Sequence, residues 1–314
     1  MSELSNLRRP LRIGTRGSPL ALWQARHVET LLRQAWPQLA DDGALEIVEI
    51  TTTGDRVQNR LLSEIGGKGL FSKEIEEAMA DNRIDLAVHS MKDVETVLAD
   101  GFVIAAVLER ADPRDAWIST SGHGLDDMPT GAKVGTASLR RRAQVLARRP
   151  DLEVVPFRGN IGTRLRKLAE GEADATLLAQ AGLDRLGMGD TATETLAPSV
   201  MLPPAAQGAV GVECRANDEG VLQALAPLNH AETVVTTMAE RALLAALDGS
   251  CRTPIGAYAM LDGTGGIHIE GLLANDAGTK SWRANRSGLV SDAAALGAEI
   301  GAELRREGDA QVFE

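Results

Sequence analysis

The sequence predicts an α/β protein with mainly parallel sheets. Short runs of consecutive apolar residues alternate with helix-forming segments along most of the chain, and this alternation is typical of strand–helix–strand units. The runs are apolar at successive positions, as in strands that are covered on both faces. Several end abruptly in polar residues, at the edge where open α/β sheets bind their ligands. With 314 residues, the chain is long enough for two or three domains.

The first predicted unit is a strand at 11–14 followed by a loop and a helix. Ser18 is a typical N-cap, and Pro19 stands at the first helical position. The loop at 15–17 then lies at the helix N-terminus, where the helix dipole favours an anion. Arg16 in this loop is therefore a candidate anion ligand, with a solvated surface arginine as the alternative.

A second strand at 45–50 leads into a long, polar, glycine-rich stretch. This stretch includes Lys68 in the segment GGKG, which lacks the earlier glycine and the following Ser or Thr of a phosphate-binding loop. A mobile lid over a site fits the composition, and disorder is the simpler alternative. Helical periodicity returns at 70–79.

The segment IDLAVHSMKDVE, residues 84–95, predicts a buried strand at 84–90 that ends in a cluster of polar residues. Four polar residues are placed at the carboxyl end of this strand, where ligands bind in open α/β sheets: His89, Ser90, Lys92 and Asp93. An Asp beside a Lys at such an edge indicates ligand binding or chemistry. A helix-capping Asp with a solvated Lys is the alternative. Another strand is predicted at 102–108.

The charged segment 110–117 contains a proline and breaks the pattern, so it is predicted to cross into a second domain. That domain repeats the first pattern, with strands at 133–136, 152–157 and 173–179. Helices are predicted between these strands, and each strand-to-helix junction carries polar and basic residues.

The second domain has a local excess of positive charge. Between 131 and 170 there are ten basic and three acidic residues, an excess of +7 in a chain of net charge −11. Cations at a helix N-terminus are disfavoured by the macrodipole, so Arg140, Arg141 and Arg164 predict an anion near these helix starts. The same junctions contain further polar candidates: Thr136, Ser138, Arg158 and Asn160.

The segment 202–218 has two prolines and a short strand, and it is predicted to return the chain to the first domain. A third unit follows, with a helix from Asn229, strands near 254–260, 267–274 and 280–286, and a terminal helix from Ser291.

The two cysteines lie in different surroundings. Cys214 follows apolar residues in the predicted returning strand and is typical of a core cysteine. Cys251 lies in a glycine-containing loop beside Arg252, where a thiol can be exposed and nucleophilic. Because no His partner is visible, an inert loop thiol is the alternative for Cys251.

Composition excludes several classes of function. Aromatic residues make up 3% of the chain and the net charge is −11, which disfavours a nucleic-acid or anionic-membrane partner. No cysteine and histidine spacing indicates a metal. The first ten residues lack an apolar targeting core, and the longest apolar run, 102–108, is too short to span a bilayer. We expect a reduced, cytoplasmic protein, and a monomer, because no long apolar seam is visible.

Taken together, these segments resemble the porphobilinogen deaminase family, also called hydroxymethylbilane synthase, of tetrapyrrole biosynthesis. The likeness runs nearly from end to end, with the motifs in family order: IGTRGSPLALWQA, GDR, GGKGLF, VHSMKDV, DPRDA, GTASLRRR, RGNIGTR, LAQAGLDRLG, QGAVGVECR and GSCRTPIGAY.

The resemblance implies three domains. Domain 1 would comprise 1–110 and 205–226, domain 2 would comprise 111–204, and domain 3 would comprise 227–314. Domains 1 and 2 would be built like type II periplasmic binding proteins, and domain 3 would be a small α+β domain.

The resemblance also implies an activity and its residues. Four porphobilinogen units would be joined head to tail, with loss of ammonia, on a dipyrromethane cofactor held by a thioether to Cys251, and the linear tetrapyrrole would then be released. Asp93 would be the catalytic acid. The candidate residues for binding cofactor and substrate are Arg16, Ser18, Gln24, Lys68, Ser90, Lys92, Thr136, Ser138, Arg140, Arg141, Arg158, Asn160, Arg164, Arg185 and Gln207.

The chemistry of such a ligand agrees with the residues. Each porphobilinogen ring carries an acetate and a propionate, and the planar fork of arginine pairs with carboxylates through two hydrogen bonds. The amino group of the aminomethyl substituent leaves as ammonia, and the methylene carbon stays on the ring as a cationic methylene-pyrrolenine. The free α-carbon of the growing chain attacks this methylene. Lys92 would oppose protonation of a neighbouring Asp93, so we hypothesise that an ionised Asp93 stabilises this cation, with proton transfer secondary.

The sequence departs from the family pattern at a few positions. Glu95 and Ala99 stand where the family often has prolines, which puts the local loop geometry in doubt. Glu64 stands where some members have lysine, and no binding role is assigned to it.

Two other classes of function compete with the enzyme. A non-catalytic anion-binding protein of the same two-lobed type predicts a signal peptide and no third domain with a placed cysteine. A nucleic-acid-binding protein predicts aromatic residues within the basic stretch, where Phe157 stands alone.

Overall fold

The computed structural model describes residues 10–56, 72–248 and 253–312. Within these ranges the chain forms three β-sheets, two with five strands and one with three. The described residues divide into two compact units. The first comprises residues up to 110 and 209–234, and the second comprises 111–208 and the residues from 235 onwards.

Strands and helices are numbered here along the chain. The strands are β1 (Leu11–Arg16), β2 (Leu45–Ile50), β3 (Leu86–Ser90), β4 (Phe102–Val107), β5 (Asp115–Ser119), β6 (Lys133–Gly135), β7 (Glu153–Val155), β8 (Ala175–Ala179), β9 (Glu194–Leu196), β10 (Val210–Arg215), β11 (Ile255–Leu261), β12 (Gly266–Ala274) and β13 (Ser281–Leu289). The α-helices are α1 (Pro19–Ala35), α2 (Thr53–Arg56), α3 (Lys73–Ala80), α4 (Leu139–Arg148), α5 (Ile161–Ala169), α6 (Gln180–Arg185), α7 (Glu219–Leu225), α8 (Ala231–Ala246) and α9 (Ala293–Val312).

The sheet of the first unit has the order β2-β1-β3-β10-β4. Strands β1, β2 and β3 are parallel, and β10 runs antiparallel to both of its neighbours. Helix α1 begins as predicted, because the Ser18 hydroxyl accepts the Ala21 N–H and Pro19 occupies the first turn. Its apolar face packs Val28 and Leu32 against the sheet in the largest core of this unit.

The main sheet of the second unit repeats this arrangement, with the order β7-β6-β8-β5-β9. Here β5 is the antiparallel strand. In each sheet the antiparallel strand is the one that follows a crossing of the chain from the other unit. Helices α4 and α5 begin at side-chain caps, Ser138 and Asn160, which accept the N–H groups of Arg141 and Thr163. Trp117 and Phe157 fill the two cores of this sheet.

The third sheet is an antiparallel meander, β11-β12-β13. Helices α8 and α9 contribute apolar residues, among them Leu243, Ile300 and Leu304, to the core on one side of it. The burial alternates along β13, as expected for a sheet with one covered face.

The two crossings of the chain lie side by side at Ala111 and Gly208. The Ala111 N–H donates to the Gly208 carbonyl at 3.2 Å. Gly208 has φ +89°, and a Cβ there would lie 2.4 Å from the Ala111 carbonyl oxygen. Only glycine combines this backbone conformation with such close approach.

The predicted fold class is confirmed: two α/β units with mainly parallel sheets and a smaller α+β region. Most predicted strands and helices are present within a few residues of their predicted bounds. Segment 110–117 was predicted to break the pattern, but strand β5 begins inside it at Asp115. The short elements α2, β9, α6 and α7 were not predicted. No helix within the described ranges is both long enough and apolar enough to cross a membrane.

Candidate functional site

Asp93 lies in a one-turn 3-10 helix, Met91–Asp93, directly after β3. Its side chain is half-buried. Within the described ranges, no hydrogen bond or ion pair involves its carboxylate. A partly buried carboxylate without a protein partner is free to receive a cationic or N–H-bearing ligand.

Arg16 ends strand β1, next to β3 in the sheet. Because β1 and β3 are parallel, their carboxyl ends meet at one edge, so Arg16 and the turn with Lys92 and Asp93 share that edge. Ser18, also a candidate, caps α1 at the same edge. The structure therefore brings these predicted residues together within the first unit.

Gln24 and Ser90 are partners of each other. The Gln24 amide Nε2 lies 2.9 Å from the Ser90 hydroxyl, and the Ser90 hydroxyl lies 3.2 Å from Gln24 Oε1. Gln24 is 2% exposed, and Ser90 is half-buried. Gln24 thus holds the Ser90 hydroxyl at the end of β3.

A buried acid–histidine contact lies one residue before Ser90 in β3. His89 Nε2 is 2.9 Å from Glu213 Oε2 of β10, and both side chains are almost fully buried. Neither atom has a hydrogen-bond partner of good geometry in the part of the chain that is described. Glu76 of α3 lies close by: burial, and then repulsion from Glu213, raise its pKa.

In the second unit, Arg140 and Arg141 converge on Asp115. The Asp115 carboxylate accepts from Arg140 Nη2 at 2.7 Å and from Arg141 Nη2 at 2.7 Å and Nε at 3.2 Å. Gln207 Nε2 adds a fourth hydrogen bond at 3.0 Å. The arginines also donate to the carbonyls of Leu202 and Leu177. Asp115 is completely buried, and the arginines are 5% and 6% exposed.

The charges of this cluster determine the state of Asp115. Burial by itself would raise the pKa of the Asp115 carboxyl, but the adjacent charges of Arg140 and Arg141 and their hydrogen bonds hold that pKa well below its usual range. Two guanidinium groups and one carboxylate leave a net charge of +1. The anion that the sequence predicts near the start of α4 is therefore, in part, Asp115 itself.

An Asp115→Asn variant is expected to be strongly destabilised. Removing one partner of a buried ion pair costs about 3–5 kcal/mol, since the other charge stays buried. Because the folded pKa of Asp115 is lowered, its stabilisation is complete above the unfolded pKa of about 4 and is lost as the pH falls. Urea unfolding should show the full difference from the wild type at pH 7 and a smaller difference in acid.

Asp126→Asn is the matched control for this prediction. Asp126 forms an exposed pair with Arg148 in the same unit, and such pairs contribute about 0–1 kcal/mol. Equal losses in the Asp115 and Asp126 variants would contradict the buried role of Asp115.

Arg158 stands at the second strand-to-helix junction, with Asn160 and Arg164. Its Nη1 atom is buried and has no hydrogen-bond acceptor among the described residues. Asn160 is the exposed N-cap of α5 and accepts the Thr163 N–H at 2.8 Å. Arg164 Nε donates to the Gly159 carbonyl at 2.8 Å. An unsatisfied buried guanidinium N–H calls for an acceptor such as a ligand carboxylate.

The other candidates of the second unit have structural partners. Thr136 accepts the Ser138 N–H at 3.1 Å, and Ser138 caps α4. Arg185 Nη2 donates to the Gly208 carbonyl at 2.7 Å, and burial lowers its pKa. Gln207 is 1% exposed and also donates to the Pro113 carbonyl at 2.7 Å.

Two candidates, Lys68 and Cys251, lie outside the described residues.

A polar cavity of about 610 Å³ lies in the first unit and is lined by residues such as Leu11, Asp85 and Arg215. It opens at the starts of β1 and β3, the edge opposite Asp93, and contains none of the candidates.

Asp115 and Glu213 were not singled out from the sequence, and His89 was placed at the strand end but not among the residues expected to bind or react. Each is an ionisable residue with apolar neighbours in a strand, and this was the available signal, because buried charges require partners. Their partners come from distant parts of the chain, so the signal does not identify the pairing.

Fold and site together define an α/β protein whose strand ends carry a carboxylate without a partner among the described residues, and arginines suited to an anionic ligand. A comparison of the sequence with models of protein families identifies the particular family. Residues 11–223 match the model described as porphobilinogen deaminase, dipyromethane cofactor binding domain, and residues 234–306 match the porphobilinogen deaminase C-terminal domain. The chain belongs to the porphobilinogen deaminase family.

Individual relatives agree with this assignment. The chain is 48% identical over 314 residues to the porphobilinogen deaminase of Paracoccus denitrificans, covering 100% of this chain and 99% of that one. It is 51% identical over 278 residues to the chloroplastic enzyme of Oryza sativa, covering 88% and 78%. Among solved structures, the probable amino-acid ABC transporter extracellular-binding protein of Bacillus subtilis matches 69% of this chain and 89% of its own at 13% identity, with a TM-score of 0.40. This match is too weak to bear on the assignment.

Porphobilinogen deaminase and hydroxymethylbilane synthase name the same enzyme. The predicted transferase of tetrapyrrole biosynthesis and its dipyrromethane cofactor are therefore confirmed, and the catalytic interpretation is favoured over a non-catalytic anion-binding protein. The described residues fit this cofactor, because Arg158 presents a buried N–H without a protein acceptor and dipyrromethane carries carboxylates.

Proposed function

We propose that Asp93 is the catalytic carboxylate, that Cys251 carries the dipyrromethane, and that the basic candidates hold the carboxylates of cofactor and substrate. The observation that carries the proposal is the half-buried Asp93 carboxylate, which has no partner among the described residues and stands at the ligand-binding edge of its sheet. In open α/β sheets, ligands bind in the crevice outside the carboxyl ends of the strands.

Asp93 acts in this proposal as an ionised group. The dipyrromethane, when bound, supplies the free α-carbon at which the chain grows. Asp93 accepts pyrrole N–H groups and stabilises the positive charge that develops as ammonia leaves the substrate, because a fixed carboxylate in a poorly solvated site requires no reorganisation.

The binding residues are proposed to have unequal tasks. Arg158 offers a free N–H and is the most direct carboxylate ligand. Arg140 and Arg141 share Asp115, so together they balance one ligand carboxylate rather than two. The remaining proposed ligands are Arg16, Ser18, Gln24, Lys68, Ser90, Lys92, Thr136, Ser138, Asn160, Arg164, Arg185 and Gln207.

Arg158→Gln is expected to lower kcat/KM for porphobilinogen by about ten- to a hundredfold. Glutamine keeps a donor but loses the charge, and a charge-assisted hydrogen bond contributes about 1.5–3 kcal/mol. Steady-state kinetics on the cofactor-loaded enzyme measure the effect.

Arg166→Gln is the matched control for Arg158. Arg166 lies on α5, is exposed and pairs with Glu170 four residues on, so its variant should keep wild-type kcat/KM. Wild-type kinetics for Arg158→Gln would remove Arg158 from the site.

We further propose the predicted three-domain division, 1–110 with 205–226, 111–204 and 227–314. Its support is that each of the three sheets lies within one of these ranges. A cytoplasmic monomer that binds no nucleic acid is likewise proposed, on the acidic charge of −11 and the low aromatic content.

A further inference from the structure

Strand β10 contains a glycine, Gly211, at a position where glycine needs an explanation. The strand lies inside its sheet, and Gly211 pairs with His89 of β3 on one side and Val107 of β4 on the other. Glycine weakens a strand interior, since it loses more conformational freedom and packs no side chain. Gly211 is not among the residues with positive φ, so the backbone conformation does not require it.

The space above Gly211 is filled by Met91. A Cβ on Gly211 would lie 2.1 Å from Met91 Sδ and 3.0 Å from Met91 Cγ, whereas the next neighbour, Ile104 Cγ2, would be at an ordinary 3.5 Å. Met91 is 3% exposed, so its side chain has little room to move aside. A strand glycine often marks such a close approach.

Met91 is the first residue of the turn that carries Asp93. Its N–H donates to the Ala209 carbonyl at 3.0 Å, just before β10, and its carbonyl accepts the Val94 N–H at 3.2 Å. The turn is therefore fixed by its backbone at both ends and by the Met91 side chain seated on Gly211. A Met91 side chain displaced by a new Cβ would push against the turn that carries Lys92 and Asp93.

We propose that Gly211 is a positioning residue for the reaction: its missing side chain lets Met91 seat the Met91–Asp93 turn and so fixes where the Asp93 carboxylate stands. The inference rests on the proposed role of Asp93. Gly211 touches neither substrate nor cofactor in this proposal and acts through Met91.

The test compares Gly211→Ala with the double variant Gly211→Ala/Met91→Ala. Misplacing a catalytic group by about 1 Å can cost about a hundredfold in rate, so Gly211→Ala should lower kcat about ten- to a hundredfold, with KM within about threefold of wild type and the cofactor still attached by intact mass. Removing Met91 Sδ and Cγ makes room for the new Cβ, so the double variant should be at least about threefold faster than Gly211→Ala.

A readout independent of turnover follows Met91 itself. With methyl-¹³C methionine, the eight methionines give resolved methyl signals, and Met91→Leu assigns the one from Met91. Gly211→Ala should shift that signal most. Gly271→Ala, in the middle strand β12, crowds Ile300 and Leu243 at 2.7 Å and controls for loss of stability alone, so it should leave kcat and the Met91 signal unchanged.

The outcomes separate this inference from the role of Asp93. A Gly211→Ala enzyme with kcat within about threefold of wild type, or a double variant no faster than Gly211→Ala, overturns the positioning role while Asp93→Asn remains inactive. Near-normal turnover of Asp93→Asn overturns the proposed role of Asp93 instead, and then the shifted Met91 signal reports packing only.

Discussion

A Cys251→Ala variant is expected to carry no covalent cofactor and to form no tetrapyrrole. A thioether needs the sulfur of its cysteine, and alanine offers no replacement. Intact mass under denaturing conditions should show an excess of two linked pyrrole units on the wild-type protein and none on the variant. Incubation with porphobilinogen should leave the variant unmodified and inactive, because chain growth would have no anchored primer.

Cys214→Ala is the control, since Cys214 is the only other cysteine in the sequence. Cys214 is 0% exposed in the core of the first unit. Burial, and next the nearby Asp218 charge, raise the pKa of its thiol to about 12, which suppresses the reactive thiolate. This variant should keep the mass excess. If the wild-type protein stayed unmodified and inactive after incubation with porphobilinogen, Cys251 would not be the site of cofactor attachment.

The fold was predictable where local signals were strong. Ser18 followed by Pro19 marks the start of α1, and the apolar run before His89 marks β3, because capping and burial on both faces leave clear patterns. Strand β5 was missed because Asp112, Pro113 and Arg114 precede it and a charged residue, Asp115, begins it. That charge is buried only because Arg140 and Arg141 come to it from a later helix.

The placement of the candidate residues at strand ends was predictable from the sequence, but their pairing was not. Polar residues at strand ends identified Ser90, Asp93 and Arg158, since the position of a strand end can be read from the sequence. Contacts such as Gln24 with Ser90 join residues far apart in the chain. The periodicity of apolar residues carries no information on such pairs. Residues that would bind the ligand could therefore not be separated from residues that only position them.

Asp93→Asn is expected to lower kcat by at least about a hundredfold while the cofactor stays attached and KM changes little. Asparagine has nearly the same shape and can still form hydrogen bonds, but it lacks the charge that would stabilise the cation as ammonia leaves. Loss of one preorganised electrostatic group at a transition state costs about 2.7–4 kcal/mol, or a factor of about 10²–10³. Steady-state rates of tetrapyrrole formation on enzyme of verified mass measure the loss.

The comparison with Asp93→Glu and Asp100→Asn gives this prediction its specificity. Glutamate keeps the charge on a longer side chain, so it should retain more activity than asparagine if charge is the main contribution. Asp100 is an exposed acid of the same unit, and its asparagine variant should turn over normally. If Asp93→Asn worked at a near-normal rate, the charge of Asp93 would be dispensable. The carboxylate after β3 would then need another explanation, because among the described residues it accepts no backbone N–H and so does not act as a helix cap.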